Sequence, residues 1–169
     1  ARPVAMAANF WSSTHFKNWL VHSQQLLALD RSCRAEDRSL FTDDDLAAMR
    51  ICYAHFIAVL ARKANLRQRV AATAAVYFKR FYTRHCYKDH DPRLIAPVAL
   101  YLAAKTEEHT IPAKSIISHI NQNYKADHPY PYTVAHLYDT EFLLIAALEF
   151  DLIVYHPYRP LLQYLAPNP

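Results

Sequence analysis

Apolar positions along this chain recur at helical spacing, and no stretch of useful length alternates in the two-residue period of a strand. The most telling run is Asp91–Glu108, DPRLIAPVALYLAAKTEE. Between Leu94 and Ala104 it carries no charge, and it ends abruptly in Lys105, Glu107 and Glu108. A helix apolar on every side belongs inside a domain, wrapped by other helices. Its eleven uncharged residues fall short of a membrane span, which takes about 20, so the wrapping is protein. Asp91 is placed to cap this helix and Pro92 to occupy its first turn. Pro97 predicts a kink.

The rest of the chain supplies the wrapping. Residues 1–8 read as a flexible N-terminus, with Met6 a natural start after a short upstream extension. Residues 9–30 carry Phe16, Trp19, Leu20, Leu26 and Leu27 at helical spacing, with Ser12 or Ser13 as cap. This N-terminal helix either lies back on its own core or grips a partner. Residues 31–41 are charged and unpatterned, a linker. Thr42-Asp43-Asp44-Asp45 opens the next helix with a capping box, and its acids suit the positive dipole end. Leu46, Met49, Tyr53, Phe56, Ile57 and Leu60 form its stripe. Leu66–His85 is a third helix, whose Ala71, Ala72, Ala74 and Ala75 allow close approach, expected to be against the central rod. After that rod comes a short helix with Ile116, Ile117 and Ile120 inward, then a proline-rich loop at 127–132. Thr133–Asp151 is a long helix burying Val134, Leu137, Leu144 and Leu148. Leu152–Tyr155 is extended, His156–Pro160 turns, and Leu161–Leu165 begins a further element. The fold class is all-α: five helices around one of their number, preceded by an N-terminal helix.

Composition narrows the chemistry. The chain of 169 residues has no glycine, which excludes glycine-rich nucleotide loops and the nucleophile elbow of hydrolases. Helices must therefore stop on other residues, and Asn65 and Asn123 are the natural left-handed positions. Three irregularly spaced cysteines, Cys33, Cys52 and Cys86, point away from a disulfide framework or zinc site. The net charge of +4 is compatible with acidic or nucleic-acid partners without requiring them. Six basic residues and no acidic one fall between Arg67 and Lys88. A solvated face is the plainer reading of that run, and a phosphate-contacting surface the other.

No constellation asks for catalysis. None of the ten histidines forms a metal-binding pair with an intervening glutamate, and His85, Cys86 and His90 read as loop residues. Glu107 and Glu108 are adjacent and so point about 100° apart on a helix, a poor acid–base pair. No metal, cofactor or enzyme activity is expected. Lys105, at the tip of the rod, and Glu141, mid-way along the last long helix, could meet at one surface edge. They would then offer a donor and an acceptor to a partner's backbone. Two ordinary surface charges remain the alternative.

Three separated blocks, LRQRVAATAAVYFKRFYTR (66–84), PVALYLAAKTEE (97–108) and EFDLIVYHPYRPLLQYL (149–165), resemble the cyclin box. With the opening MAANFWSSTHFKNWL, the likeness is to the C-type transcriptional branch, whose partner is the kinase of the Mediator complex. The resemblance places a first cyclin box at 42–155, with 156–169 a linker and the start of a truncated second box. It implies a non-catalytic, nuclear activating subunit of a cyclin-dependent protein kinase, associated with Mediator subunits. No membrane contact or direct nucleic-acid binding is implied. In the family, the matches to Lys105 and Glu141 hold the kinase's regulatory C-helix, and the apolar kinase contacts match Leu94, Ile145, Phe150 and Leu152.

Departures matter too. Lys79 stands where cell-cycle cyclins carry Asp, and the substrate-docking stretch of those cyclins reads MRICYAHF here, with Phe56 in place of Trp. The first argues against a cell-cycle role, and the second against recruitment of short substrate motifs through the patch those cyclins build on Met and Trp. A cyclin-fold nucleic-acid-binding factor is the competing expectation, and a truncated cyclin without kinase binding a third. A bare face left by the second box is expected to associate or to cost stability.

Overall fold

The computed structural model describes residues 9–22, 36–122, 124 and 129–166. A 3-10 turn at Phe10–Ser12 leads into α1 (Thr14–Trp19). The bundle follows as α2 (Asp43–Lys63), α3 (Gln68–Phe81), α4 (Pro92–Thr106), α5 (Ala113–Asn121) and α6 (Val134–Ala147), with α7 (Tyr158–Leu165) after it. No strand occurs among the described residues.

α4 is the axis. Ile95 through Ala104 are all buried, and α2, α3, α5 and α6 each pack against it. Its cap is as expected, with the Arg93 amide donating to Asp91 Oδ1 at 2.8 Å. The helix runs on through Pro97, which has no N–H for the carbonyl of Arg93. Tyr130 supplies the missing donor, its hydroxyl lying 2.9 Å from that carbonyl. A backbone acceptor left without its helical donor is thus satisfied from the loop before α6.

The capping box of α2 is formed in both directions, Asp45 N to Thr42 Oγ1 at 3.2 Å and Thr42 N to Asp45 Oδ2 at 2.9 Å. The Thr42 hydroxyl, donating to Asp45 Oδ2 at 2.6 Å, and then the Thr42 amide hold the Asp45 carboxyl below its ordinary pKa. Without glycine, the chain enters the left-handed region at Asn65, Glu108, Glu149 and Phe150; Asn123 lies outside the described residues.

Four expectations are corrected. The N-terminal helix stops at Trp19 and Leu20 leaves it extended, because Trp19 is captured by the bundle, as described below; residues 23–35, including Cys33 and most of the expected linker, lie outside the described residues. Within the rest of that linker, Asp37 is only 3% exposed. Its carboxylate accepts from the amides of Tyr87 and Lys88 at 3.1 and 2.9 Å, tying the segment to the loop after α3. α3 ends at Phe81, not His85, since Thr83, Arg84 and His85 turn back to bond the carbonyls of Arg80 and Phe81. Of its four alanines, Ala71 and Ala74 are buried, whereas Ala72 and Ala75 are half-exposed.

α7 buries nothing. Leu161, Leu162, Tyr164 and Leu165 are all exposed, an apolar helix without cover. No described helix is long and apolar enough to cross a membrane.

Candidate docking edge

α4 and α6 bring Lys105 and Glu141 together. The ammonium donates to Oε1 and Oε2 at 2.8 and 2.9 Å and lies 4.4 Å from the centre of the Tyr101 ring. The two partners are unequal, since the lysine side chain is 41% exposed and the glutamate 8%. Burial alone would lower the Lys105 pKa, but hydrogen bonds with Glu141 and Tyr101 outweigh it and hold the group above the usual lysine value. The expected pair exists, closed on itself. The glutamate keeps spare acceptor sites, since a carboxylate has about four, whereas the bonds to Oε1, Oε2 and Tyr101 engage the three donors of the ammonium.

Glu141 is buried because it continues the inner stripe of Leu137, Leu144 and Leu148, all 0% exposed. At 100° per residue, Ile145, Tyr138 and Phe142 follow it round the helix at about 40°, 60° and 100°. Exposure rises along that flank, from half-buried Ile145 to Tyr138 at 44% and Phe142 at 75%. Tyr138 and Phe142 escape the sequence reading, although their signal was present: a helix apolar well beyond one inner stripe leaves its surplus outside.

Beyond α6, Glu149 and Phe150 have φ of 53° and 61°. A left-handed residue other than glycine costs about 1–2 kcal/mol, and the conformation leaves Phe150 75% exposed. Leu94 and Leu152 are partly buried against the core. The six residues carried over from the resemblance therefore fall into three kinds: a polar pair (Lys105, Glu141), three partly buried packers (Leu94, Ile145, Leu152) and one displayed ring (Phe150).

What holds the 149–152 segment is the C-terminal half of α3. Tyr77 donates to the Leu152 carbonyl, and burial pushes its phenol up to about 12. Arg80 donates to the Asp151 carbonyl at 3.0 Å, and Arg84 pairs with Glu149. Arg80 is only 5% exposed, and burial pushes it down to about 10. Trp19 of α1 lies over both guanidiniums, at 4.5 Å from Arg80 and 4.6 Å from Arg84. Its indole N–H reaches Asp151 Oδ2 at 3.1 Å, beside Asn18 at 2.8 Å, while His15 Nδ1 accepts from the Tyr155 amide at 3.1 Å. α1 is thus laid back on the bundle.

The basic run from Arg67 to Lys88 is half committed within the chain. Arg80 and Arg84 are used as above, and Arg69 pairs with Glu107 at 2.7 Å. Glu107 also accepts from buried Thr73 at 2.7 Å. Half of the six cations that suggested a phosphate-contacting surface are occupied in this way. His85 and His90 pack on Phe81 as rings, at 4.4 and 5.2 Å. Among the described residues Glu36, Cys86 and Asp89 bring one ligand-type atom each within 4.8 Å of one another, and neither Cys52 nor Cys86 is in a disulfide.

The family model for the cyclin N-terminal domain matches residues 20–153. The chain belongs to the cyclin family. It is 40% identical over 160 residues to Cyclin-C1-1 of Oryza sativa subsp. japonica, covering 95% of this chain and 61% of that one. It is 41% identical to Cyclin-C of Drosophila pseudoobscura pseudoobscura and 36% to Cyclin-C of Rattus norvegicus, over 94% and 95% of this chain and 60% and 57% of those. It spans only 57% to 61% of the length of these relatives. Among solved structures, a chain of the yeast TFIIK (Kin28/Ccl1/Tfb3) complex superposes with a TM-score of 0.75 at 25% identity, over 93% of this chain and 63% of that one. A chain of the CAK complex of Chaetomium thermophilum, at 21% identity and a TM-score of 0.79, shares the fold over 95% of this cyclin and 54% of its own length.

Proposed function

We propose that this cyclin is a non-catalytic, activating subunit of a transcription-associated cyclin-dependent protein kinase, the kinase of the Mediator complex, acting in the nucleus in RNA polymerase II transcription. The observation that carries the reading is the Lys105–Glu141 pair at the margin of an exposed apolar flank. A protein kinase is active when its C-helix glutamate meets the ATP-binding lysine. A surface that packs the C-helix inward favours that state by binding it more tightly. Phe142, Ile145, Phe150 and Leu152 supply the apolar anchors and Leu94 extends the patch. Lys105 and Glu141 supply orientation, the glutamate through the acceptor sites it has left and the lysine through its exposed charge. Such a contact buries more than roughly 1,000 Å² in all, with a few anchors dominating the energy. Similarity to Cyclin-C proteins and to a chain of the TFIIK complex supports the transcriptional assignment.

The test is recovery from nuclear extract with the tagged chain, followed by mass spectrometry. A cyclin-dependent kinase is the expected chief partner. Phe142→Asp and Ile145→Asp each reduce its recovery by about 100-fold, roughly the 2.7 kcal/mol of one lost hot spot, while the melting curve stays cooperative. Kinase recovery that survives Ile145→Asp and Glu141→Ala together would show that the docking edge lies elsewhere.

A further inference from the structure

Not all the small residues of α3 are used by the central helix. Ala75 of α3 and Ala54 of α2 line a trough between those two helices, about 610 Å³ in volume. Neither side chain reaches beyond Cβ, so two packed helices leave a channel where larger residues would have closed it. Phe78 and Tyr82 form its buried floor, and Ile51, 73% exposed, stands on one wall. Arg50 and Lys79 are exposed on the rim, and no acidic residue lines the trough. None of its lining belongs to α4 or α6, so it is separate from the kinase-docking edge.

We propose that this trough docks an acidic amphipathic peptide segment of a partner protein. An aliphatic or aromatic side chain would enter between Ala54 and Ala75, burying Ile51. Flanking Asp or Glu residues would meet Arg50 and Lys79. Charge decides the occupant. A second copy of this chain, net charge +4, would bring the same rim cations against one another in a two-fold contact. Nucleic acid would find basic groups but no stacking platform, because the aromatic rings lie in the buried floor rather than on display. An apolar anchor flanked by acids satisfies both features at once. Among the described residues Lys79 forms no ion pair, whereas Arg80 is turned to the Asp151 carbonyl and Arg84 pairs with Glu149.

The test uses the full chain and two fluorescent synthetic peptides with the same Leu and Phe residues, one flanked by glutamates and one by lysines. Anisotropy should show binding of the acidic peptide, at least tenfold tighter than the basic one. Lys79→Glu should weaken the acidic peptide at least tenfold and narrow or reverse the preference. Ile51→Asp, on an exposed wall, should abolish binding, as should Ala75→Trp, which fills the channel; Ile51→Asp keeps the test decisive if the tryptophan perturbs folding. Kinase recovery should be unchanged in Lys79→Glu and Ile51→Asp, which separates this site from the docking edge. Equal binding of both peptides, or binding of neither, overturns the proposal. So does displacement of the acidic peptide by a single-stranded oligonucleotide, or a concentration-dependent dimer in sedimentation that Ile51→Asp abolishes.

Discussion

Lys105 and Arg80 each lie against an aromatic ring, 4.4 Å from Tyr101 and 4.5 Å from Trp19. Their surroundings are opposite. Arg80 is sealed: α1 covers it, Asp151 bonds it, and 5% of it remains exposed. Lys105 is open, its side chain 41% exposed, with bare Phe142 and Phe150 on the adjoining element and its extension. One arrangement uses a cation to fasten the chain to itself. The other keeps a satisfied ion pair at the brink of an apolar surface that the described residues leave uncovered. The comparison teaches that a charge–aromatic contact says nothing of function until the burial around it is known.

Breaking the sealed site should have the largest effect on stability. Arg80→Ala removes a buried donor to Asp151 and the support under Trp19. It should cost about 3 kcal/mol in urea unfolding, and lower the melting temperature by roughly 10 °C. The intact docking edge should still recover kinase under conditions where the variant is folded. Loss of kinase without loss of stability would reverse the assignment of the two regions.

The open pair should be asymmetric. Lys105→Ala strands a carboxylate whose side chain is 8% exposed, and should cost about 2 kcal/mol. Glu141→Ala leaves an ammonium that water reaches, and should cost less than about 1 kcal/mol. Kinase recovery should fall in both. Equal stability losses would mean that the two groups are equally solvated in solution.

Acid should loosen the sealed seam before it touches the open edge. Burial, then the charges of Arg80 and His156, hold His15 below its ordinary 6.5. A histidine depressed in the folded state contributes stability above the unfolded value, and that stability is lost as pH falls through the folded one. Protonation also removes the acceptor for the Tyr155 amide. Asp151 behaves alike at lower pH: burial raises it, but hydrogen bonds from Asn18, Thr14 and Trp19 outweigh this and hold it below 3.8. Trp19 fluorescence, read in a Trp11→Phe background, should therefore change in two steps, one below about pH 6.5 and one below about pH 4. His15→Gln should erase the first step only. A similarly small effect is expected on the central helix, where Tyr130→Phe withdraws the donor to the Arg93 carbonyl and should cost about 1 kcal/mol by urea unfolding.

Much of this was legible in the residues because the physics is local. Charge-free spacing from Leu94 to Ala104 marked the buried axis, Asp91-Pro92 its start, and Thr42 with Asp45 the start of α2. Lys105 and Glu141 were visible as candidates, and the inner stripe of α6 ran through Glu141 at heptad spacing. What spacing could not convey was who meets whom. Tyr130 answering the carbonyl orphaned by Pro97 joins residues 37 apart, and Trp19 reaching Asp151 joins residues 132 apart.

By itself, then, the sequence determined the helices, their caps and the axis, since hydrophobic period and capping depend on neighbours within a few positions. Tertiary structure alone decided that Lys105 and Glu141 close on each other and that half the basic run of α3 is spent inside the chain. It alone left Phe142, Phe150 and the alanine trough uncovered. Burial is a property of what other elements occupy, and no stretch of chain carries that information about itself.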